Sequence, residues 1–581
     1  MQQFLEVTDA RASRTFVPPD FLVESWEGLK IHFDFLLEQS PQTLEELEAF
    51  LRQRNELEAL VAEDVAWRYI KMTCNTQDKN LESAYQYFIT EILPHLSVYD
   101  DKLNRKIAAH PYFDQLPSDP YLTFARQLQR SIELFREDNV PLLAKSHSIS
   151  QQHGSMIGSM TIEHEGETLT LQQAGKLLEK RDRDLRQSIW EKVAERRKQD
   201  WTRLQDIFGQ LLDLRHQIAI NADYPSYTRY KFDQLGRFDY QPEDVVAFHE
   251  SVSKAIRPMY ERFLQERKEK LQLNELRPWD LHVDIFGDTP LKPFVEAPEL
   301  LQKSIEVLGK LKPELGQMLQ LMDRMGYLDL GSRVGKAPGG YNYPLLETGV
   351  PFIFMNATGT QADVTTMLHE SGHAIHSFVT RDIPLNALKQ TPSEVAELAS
   401  MTMELLCLDH YDEFYPDEKL RLRAKKEQLM RCITILPWIA TVDAFQQWVY
   451  NHPTHSEEER NQTWTELYYQ FHGHEVNWEG YEGELAHLWL KQGHIFDVPF
   501  YYIEYAIAQL GAIGIWRNYR QDPEKALQQY LDALKLGYTK SIPQIYDAAG
   551  IRFDFSADYI LDCMQFCLDE YRSLSIEDLP V

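Results

Sequence analysis

One short motif constrains this chain more than any other feature: His369, Glu370 and His373 form the pattern H-E-x-x-H. Residues four apart lie on the same face of an α-helix, so the two imidazoles can converge on one metal ion. Glu370, one step round the helix, would face the open position beside that ion. The spacing therefore predicts a helix that carries two histidine ligands and a general base, an arrangement typical of zinc peptidases.

Apolar and small side chains around the motif recur at intervals of three and four residues, the period of a helix that is buried on one face. This stripe consists of Val364, Met367, Leu368, Ser371, Ala374, Ile375 and Phe378. Thr360 and Asp363 can form a box-like cap at its start, and Pro384 lies beyond its end. The sequence thus predicts a core helix rather than a surface helix that happens to carry histidines.

A catalytic zinc site needs a third protein ligand, and two downstream carboxylates can supply it. Glu394 and Glu397 lie in an amphipathic segment after Thr391-Pro392, a favourable helix start. Glu394 falls in the first turn, where we expect a solvated acid that interacts with the helix dipole. We therefore predict Glu397 as the ligand. Glu404, seven residues later on the same face, would hydrogen-bond the N–H of a ligand histidine.

His376 lies three residues after His373 and could be taken for a third histidine ligand. Sites with three histidines place the third one six residues after the second, beyond a glycine that turns the chain, whereas this helix continues. We expect His376 to make a local hydrogen bond instead.

These residues carry a family resemblance. The run from His369 to His376, followed by Ala396 to Ser400 and Glu404, resembles the oligoendopeptidase F and Pz-peptidase branch of the thimet oligopeptidase family of zinc metallopeptidases. Further similar stretches lie on both sides, at Asp182 to Arg186, Arg277 to Leu281, Ala337 to Tyr341, Pro351 to Thr360, His494, and Pro499 to Ala506. The resemblance covers about the last two thirds of the chain.

The resemblance implies a mostly helical, two-lobed fold of the neurolysin type, with a deep central channel and a small β-sheet beside the zinc helix. It implies one Zn²⁺ per chain, bound by His369, His373 and Glu397, with Glu370 as the general base. Such a channel would admit oligopeptides and exclude folded proteins.

On the substrate side, the resemblance implies catalytic roles for His494, Tyr502 and Tyr505. These side chains would donate hydrogen bonds to the carbonyl oxygen as negative charge develops there. Tyr502 and Tyr505 are three residues apart and would share one helical face, so Tyr501 would point elsewhere and pack as an ordinary aromatic residue.

A strand is predicted from Val350 to Met355, because this segment is rich in β-branched and aromatic residues and is bounded by glycine and proline. It would end beside the zinc helix, and if one of its edges is free, an extended peptide could pair with it. In the resembled family, Gly339 and Gly340 would belong to a loop that closes over the bound peptide.

Most of the remaining chain has the helical period, and 581 residues exceed a single typical core, so two or more lobes are expected. Met160 to Leu171 alternates around Glu165-Gly166 and predicts a small hairpin, after which helix resumes at about Gln172. We place a lobe boundary in this region and expect an N-terminal helical lobe over 1–190 and a catalytic region over 191–581.

Charge and cysteine content exclude several classes of protein. The formal charge of −29, from 60 basic and 89 acidic residues, opposes binding to nucleic acids and anionic membranes. No run approaches the roughly 18 apolar residues of a membrane span. The five cysteines are odd in number and form no C-x-x-C pair, and the N-terminus carries no basic region followed by an apolar stretch. These features predict a cytoplasmic protein.

The sequence therefore predicts a hydrolase: a zinc-dependent oligoendopeptidase that cleaves internal bonds of short peptides. One alternative is a zinc carboxypeptidase on a similar helical scaffold, whose site would add a fixed basic group for the terminal carboxylate. The other is a catalytically silent peptide-binding relative, which is disfavoured because Glu370 is intact.

Overall fold

The computed structural model describes residues 14–116, 118–287 and 289–575. Its strands are β1 (Thr161–His164), β2 (Glu167–Thr170), β3 (Leu328–Gly331), β4 (Tyr341–Tyr343) and β5 (Phe352–Ala357). The helices of the N-terminal part are α1 (Trp26–Glu38), α2 (Leu44–Cys74), α3 (Lys79–Tyr87), α4 (Leu93–Ala108), α5 (Ser118–Leu134), α6 (Asn139–Gly158), α7 (Leu171–Leu177), α8 (Arg183–Lys198), α9 (Trp201–Asn221), α10 (Tyr227–Gln234), α11 (Pro242–Ser251), α12 (Arg257–Lys270), α13 (Ala297–Leu311) and α14 (Pro313–Arg324).

The remaining helices follow the sheet: α15 (Gln361–Thr380), α16 (Asn386–Lys389), α17 (Ser393–Leu406), α18 (Glu418–Asn451), α19 (Glu457–His472), α20 (Glu482–Ala486), α21 (Gly493–Asp497), α22 (Ile503–Gln521), α23 (Pro523–Leu534), α24 (Ile542–Ala548) and α25 (Ala557–Ser573). Short 3₁₀ turns occur at Phe113–Gln115, Pro278–Asp280, Cys407–His410 and Leu488–Lys491, and π-helical turns at Phe88–Ile92 and Val252–Ile256. Among these helices, none is both long and apolar enough to cross a membrane.

The described residues form five hydrophobic clusters, of which two are much larger than the rest. One is built from buried residues between Val17 and Leu128, together with Leu385 and Leu388 from the region of α16. The larger core collects buried residues from Leu134 to Tyr571 and contains the apolar side of α15. This arrangement confirms the predicted mostly helical, two-lobed fold. The predicted boundary at residue 190 stays a prediction.

The hairpin is present as predicted. β1 and β2 pair antiparallel with Thr161 opposite Thr170, and the turn residues Glu165 and Gly166 both have positive φ, 52° and 86°. Helix resumes at Leu171, one residue before the expected position.

The three-stranded sheet has the order β3-β5-β4, with β5 parallel to β3 and antiparallel to β4. The predicted strand exists as β5, displaced two residues toward the C-terminus. Both of its edges are paired, so the condition under which a peptide could pair with this strand is not met. The outer edge on the α15 side belongs to β4, which lines the cavity described below through Tyr341 and Asn342.

Candidate active site

Helix α15 begins at the predicted cap. The Thr360 hydroxyl accepts from the Asp363 amide at 3.2 Å, and the Asp363 carboxylate accepts from the Thr360 amide at 2.8 Å. The same carboxylate also accepts from the Thr358 and Gly359 amides, both at 2.8 Å. The capping box thereby fixes the end of β5 relative to the start of the helix that carries the histidines.

A close helix contact brings the motif to its carboxylate partner. A Cβ atom added at Gly372 would lie 2.5 Å from Ser400 Cα and 2.6 Å from the Ala399 carbonyl oxygen. Only glycine therefore lets α15 and α17 approach this closely. The contact places Glu397, one turn before Ser400, opposite the histidines.

His369, His373 and Glu397 converge on one point. Glu397 Oε2 lies 3.2 Å from His369 Nε2 and 3.6 Å from His373 Nε2, and one ligand atom from each residue lies within 4.8 Å of the others. Ligand atoms around a tetrahedral zinc ion, with bonds of about 2.0–2.1 Å, are roughly 3.3 Å apart. The spacing and the donor set of two imidazoles and one carboxylate thus fit a zinc ion.

Neighbouring side chains fix both the imidazole and the carboxylate. Glu404 Oε1 accepts from His369 Nδ1 at 2.7 Å, which directs Nε2 toward the convergence point. Gln428 in turn donates to Glu404 Oε2 at 2.7 Å. Ser400 donates to Glu397 Oε2 at 3.0 Å. The position predicted for Glu404 is therefore observed, while the contribution of Gln428 from α18 has no sequence signal near the motif.

The pKa shifts of the three residues differ. Burial would lower the pKa of His369, but the neighbouring Glu397 and Glu404 outweigh it and raise that pKa well above its usual value. The other two residues favour the deprotonated forms that metal ligands need. Burial, the largest influence, lowers the pKa of His373 to about 4, which keeps its ring neutral with a free lone pair. For Glu397, burial alone would raise the pKa. The neighbouring His373 and His369, with a hydrogen bond from Tyr501, outweigh it and lower the pKa to about 2.

Glu370 lies beside the convergence point in a confined space. Burial raises the pKa of its carboxyl to about 7, opposed in part by His369. A Cβ atom added at Gly340 would lie 3.5 Å from Glu370 Oε1 and 3.4 Å from the Phe354 carbonyl oxygen. Glu370 Oε2 is buried without a hydrogen-bond partner among the described residues. This carboxyl group is thus placed to exchange a proton with a molecule that enters the site.

Glu394 is not the solvated first-turn acid that we expected. Its side chain is 1% exposed, accepts from the Tyr240 hydroxyl at 2.5 Å and lies 3.7 Å from Arg237 Nε. Arg237 also donates to Glu504 at 2.8 Å and to the Phe500 carbonyl oxygen at 2.5 Å. The expectation failed because these partners come from α22 and from the segment between α10 and α11, far away in sequence. Glu394 therefore belongs to a buried ion cluster behind the site.

His494 and Tyr505 face the metal cluster from the opposite wall. Trp438 donates to Gln492 Oε1 at 3.1 Å, which fixes the amide so that Gln492 Nε2 donates to His494 Nδ1 at 2.7 Å. The His494 proton is then carried on Nε2, 3.3 Å from the Tyr505 hydroxyl oxygen. Burial lowers the pKa of His494 to about 4. Neutral His494 donates to Tyr505, whose own proton is left free to point into the cavity.

The tyrosines at 501 and 502 are placed differently from the expectation. Tyr501 does not point elsewhere: its hydroxyl donates to Glu397 Oε1 at 2.6 Å, and its ring lines the cavity. Tyr502 packs edge-on against His494, with ring centroids 4.9 Å apart, and is not among the lining residues. Tyr501 lies four residues before Tyr505, and the two ring centroids are 5.6 Å apart, so both tyrosines lie on one side of the segment that leads into α22 at Ile503. The role predicted for Tyr502 stays a prediction.

His376 lies one turn beyond His373 and is buried. Burial lowers the pKa of its ring to about 3, and a hydrogen bond to the Leu534 carbonyl opposes this shift only in part. Leu534 belongs to α23, far away in sequence, so this is not the local hydrogen bond that we expected. The ring lines the cavity without joining the cluster of three ligands.

The site opens into a cavity of about 470 Å³. It is lined by β4 and the loop after it, by the polar side of α15, by the segment from Lys389 to Glu397, and by His494, Val498, Tyr501 and Tyr505. The cavity brings together all the predicted site residues except Tyr502.

Comparison with known proteins agrees with this arrangement. Residues 176–565 match Peptidase family M3, and residues 20–135 match the Peptidase M3 N-terminal domain. The chain belongs to peptidase family M3. This membership confirms the resemblance seen in the sequence and places the chain among the peptidases.

Individual relatives of this M3 peptidase are distant. Oligoendopeptidase F (chromosomal) of Lactococcus lactis subsp. cremoris is 25% identical over 408 residues, which cover 70% of this chain and 65% of the relative. Oligopeptidase PepF of Bacillus subtilis is 25% identical over 341 residues, which cover 57% of this chain and 50% of the relative. The matched stretches thus span about half to two thirds of the relatives' length.

Solved structures share the fold over nearly the whole M3 chain. PZ peptidase A, determined with an inhibitor, superimposes with a TM-score of 0.91 at 24% identity and covers 98% of this chain and 99% of its own. Oligoendopeptidase F of Enterococcus faecium gives a TM-score of 0.63 at 18% identity, with 94% and 97% covered.

Proposed function

We propose that this protein is a zinc-dependent oligoendopeptidase that hydrolyses internal bonds of short peptides. The observation that carries the proposal is the convergence of His369, His373 and Glu397 at the spacing of a tetrahedral site, with the Glu370 carboxyl beside it. Zn²⁺ suits the donor set better than Mg²⁺ or Ca²⁺, which prefer oxygen ligands. A cytoplasmic location and free oligopeptides as substrates belong to the same proposal.

A zinc ion held there supplies Lewis acidity, which polarises the scissile carbonyl group and makes a water molecule more acidic. Glu370 takes the proton from that water and then delivers it to the leaving amine. Its Oε2 atom, buried without a hydrogen-bond partner among the described residues, is available for both transfers. The Tyr505 hydroxyl, oriented by His494, donates to the carbonyl oxygen as negative charge grows there.

The substrate backbone is held by strand pairing. An extended peptide adds to the outer edge of β4 through main-chain hydrogen bonds, which hold peptides of many sequences. Gly340 at the start of this edge leaves room for the peptide beside Glu370. Tyr501 acts through Glu397: its hydroxyl proton is already used, so it positions the carboxylate rather than touching the substrate.

The test is cleavage of an internally quenched oligopeptide that is blocked at both ends, by wild type and by Glu370→Gln, with bound zinc measured on both. We expect cleavage at an internal bond by wild type, and a loss of about 10²–10⁴-fold in kcat for the variant at equal zinc content. Equal rates for the two proteins would remove Glu370 as the base.

The same assay separates the two alternatives. A carboxypeptidase would bind zinc but would not cleave a peptide whose terminal carboxylate is blocked. A silent peptide-binding relative would cleave neither the blocked nor the unblocked peptide. Either outcome would overturn the endopeptidase assignment.

A further inference from the structure

The charged side chains that line the cavity are not evenly distributed. The two lining carboxylates, Glu370 and Glu397, belong to the metal cluster, whereas the two lining cations, Arg381 and Lys389, lie along the chain between α15 and α17. Such a division is unexpected in a protein with a formal charge of −29. Arg381 and Lys389 therefore give a second part of the cavity a positive charge, which would favour a negatively charged group of a ligand.

Lys389 is the more informative cation, because the chain just before it is anchored while its ammonium is free. The Leu388 carbonyl accepts from the Tyr538 amide at 2.7 Å, and Asn386 donates to the Asn55 carbonyl of α2 at 2.8 Å. Among the described residues, the Lys389 ammonium has neither a hydrogen-bond partner nor an ion-pair partner within 4.0 Å. A partly buried cation without an anion is unfavourable unless a ligand supplies one.

Arg381 adds a second cation to the same region. Burial lowers the pKa of both Arg381 and Lys389, and Asp382 opposes the shift in each case. Both cations therefore lie near Asp382, whose side chain is 79% exposed. A solvated carboxylate of this kind compensates the partly desolvated Lys389 only weakly.

The distance from the metal cluster limits which part of a peptide can reach these cations. Arg381 follows the last residue of α15 and is eight residues beyond His373. At a rise of about 1.5 Å per residue, the two backbone positions are roughly 12 Å apart along the helix. An extended peptide covers about 3.3 Å per residue, so a peptide that runs along α15 would bring a group roughly three or four residues from the scissile bond beside Arg381. Lys389 lines the same cavity.

We infer that Lys389 and Arg381 form a subsite that binds a carboxylate of the peptide about three or four residues from the bond that is cut. The inference rests on the proposed peptidase function and adds a substrate class to it. The carboxylate is either that of an aspartate or glutamate side chain or that of the peptide's own C-terminus. The separation also argues against a carboxypeptidase that removes single residues, which would need its basic group within about one residue of the scissile bond.

Direct binding tests this subsite independently of catalysis. Fluorescence anisotropy of labelled octapeptides would give Kd values for the Glu370→Gln protein with and without Lys389→Met. The neutral parent peptide is blocked at both ends. Three derivatives each carry one carboxylate: a glutamate three residues before the intended scissile bond, a glutamate three residues after it, or a free C-terminus after the fourth following residue.

We expect at least one of the three derivatives to bind about tenfold more tightly than the neutral parent, a gain typical of hydrogen bonds to charged groups. Lys389→Met should abolish this gain and leave the Kd of the neutral parent unchanged, whereas Lys389→Arg should retain it. The derivative that gains affinity identifies the source of the carboxylate. Lys419→Met is the matched control, because it removes the same charge from an exposed position at the start of α18.

Two results would overturn the inference: equal Kd values for all four peptides, or an equal loss of affinity for all of them in Lys389→Met. Its failure is distinguishable from failure of the proposed function, which is judged by cleavage of the neutral parent by the otherwise wild-type enzyme. Carboxylate-selective binding that depends on Lys389, without cleavage by wild type, would keep the subsite and remove the peptidase.

Discussion

The metal-binding wall and the substrate-facing wall of the cavity are built in different ways. The first consists of two regular helices, α15 and α17, which meet at Gly372 and project three ligands toward one point. The second is the segment from Gly493 to Tyr505, where a short helix, a left-handed Phe500 and the start of α22 follow one another within thirteen residues. In the first wall, periodicity alone determines which side chains converge. In the second, the side chains come from a short helix, a turn and the start of another helix, so no single period relates them.

The largest effect is expected when a metal ligand is removed from the wall formed by α15 and α17. Glu397→Ala should lower zinc affinity by more than about 100-fold, because one of three protein ligands is lost. Glu394→Gln is the matched control on the same helix: it keeps the hydrogen bond from Tyr240 and should retain zinc at wild-type affinity. Zinc affinity is measured by competition with a chelator. Retention by Glu397→Ala, or loss by Glu394→Gln alone, would reverse the assignment of the two glutamates.

A smaller effect on zinc affinity is expected at Glu404, which holds a ligand histidine but does not itself belong to the three ligands. Glu404→Ala removes the acceptor that orients His369 and should weaken zinc binding about 10- to 100-fold. Gln428→Ala, which removes only the support of Glu404, should have a weaker effect in the same competition assay. An unchanged affinity in Glu404→Ala would show that the helix pair alone orients the imidazole.

The helix contact itself can be tested by adding one methyl group. Gly372→Ala would force its Cβ against Ser400 and Ala399, and we expect a loss of about 1–3 kcal/mol in the free energy of unfolding. Gly209→Ala, in the interior of α9 with no atom near the added Cβ, should stabilise by up to about 1 kcal/mol. Denaturant midpoints of the two variants provide the comparison. Similar stability for both would mean that the two helices do not need this close approach.

The wall formed by Gly493 to Tyr505 is tested by comparing its neighbouring residues Tyr501 and Tyr502. Tyr501→Phe removes a hydrogen bond to the charged Glu397 and should lower kcat/KM about tenfold. Tyr502→Phe should change it less than about threefold, because Tyr502 does not line the cavity. The kcat/KM values of both variants are measured by steady-state kinetics on one peptide that is blocked at both ends. A larger effect at Tyr502 than at Tyr501 would restore the expectation from helical spacing.

The part of the site that lies on regular helices was predictable from the sequence. The capping box at Thr360 and Asp363, the buried stripe of α15 and the convergence of His369, His373 and Glu397 all follow from the helical period and from residue chemistry. The same reasoning placed Glu404 correctly. Local rules determine each of these features once a helix is assumed.

What could not be predicted depends on contacts between distant segments. Glu394 is buried because Arg237 and Tyr240 reach it from more than 150 residues away in sequence. The edges of β5 are covered because β3 and β4 come from both sides, and no property of β5 itself reveals this. Tyr501 was misplaced because its hydrogen bond to Glu397 joins residues 104 apart in sequence and has no signature in the tyrosine segment itself.

The central claim is that His369, His373 and Glu397 form one zinc site beside Glu370. Anomalous diffraction at the zinc absorption edge, on crystals grown with stoichiometric zinc, tests it most directly. The account predicts a single strong peak about 2.0–2.2 Å from His369 Nε2, His373 Nε2 and Glu397 Oε2. A peak elsewhere, or no peak at this point in zinc-loaded protein, would contradict it.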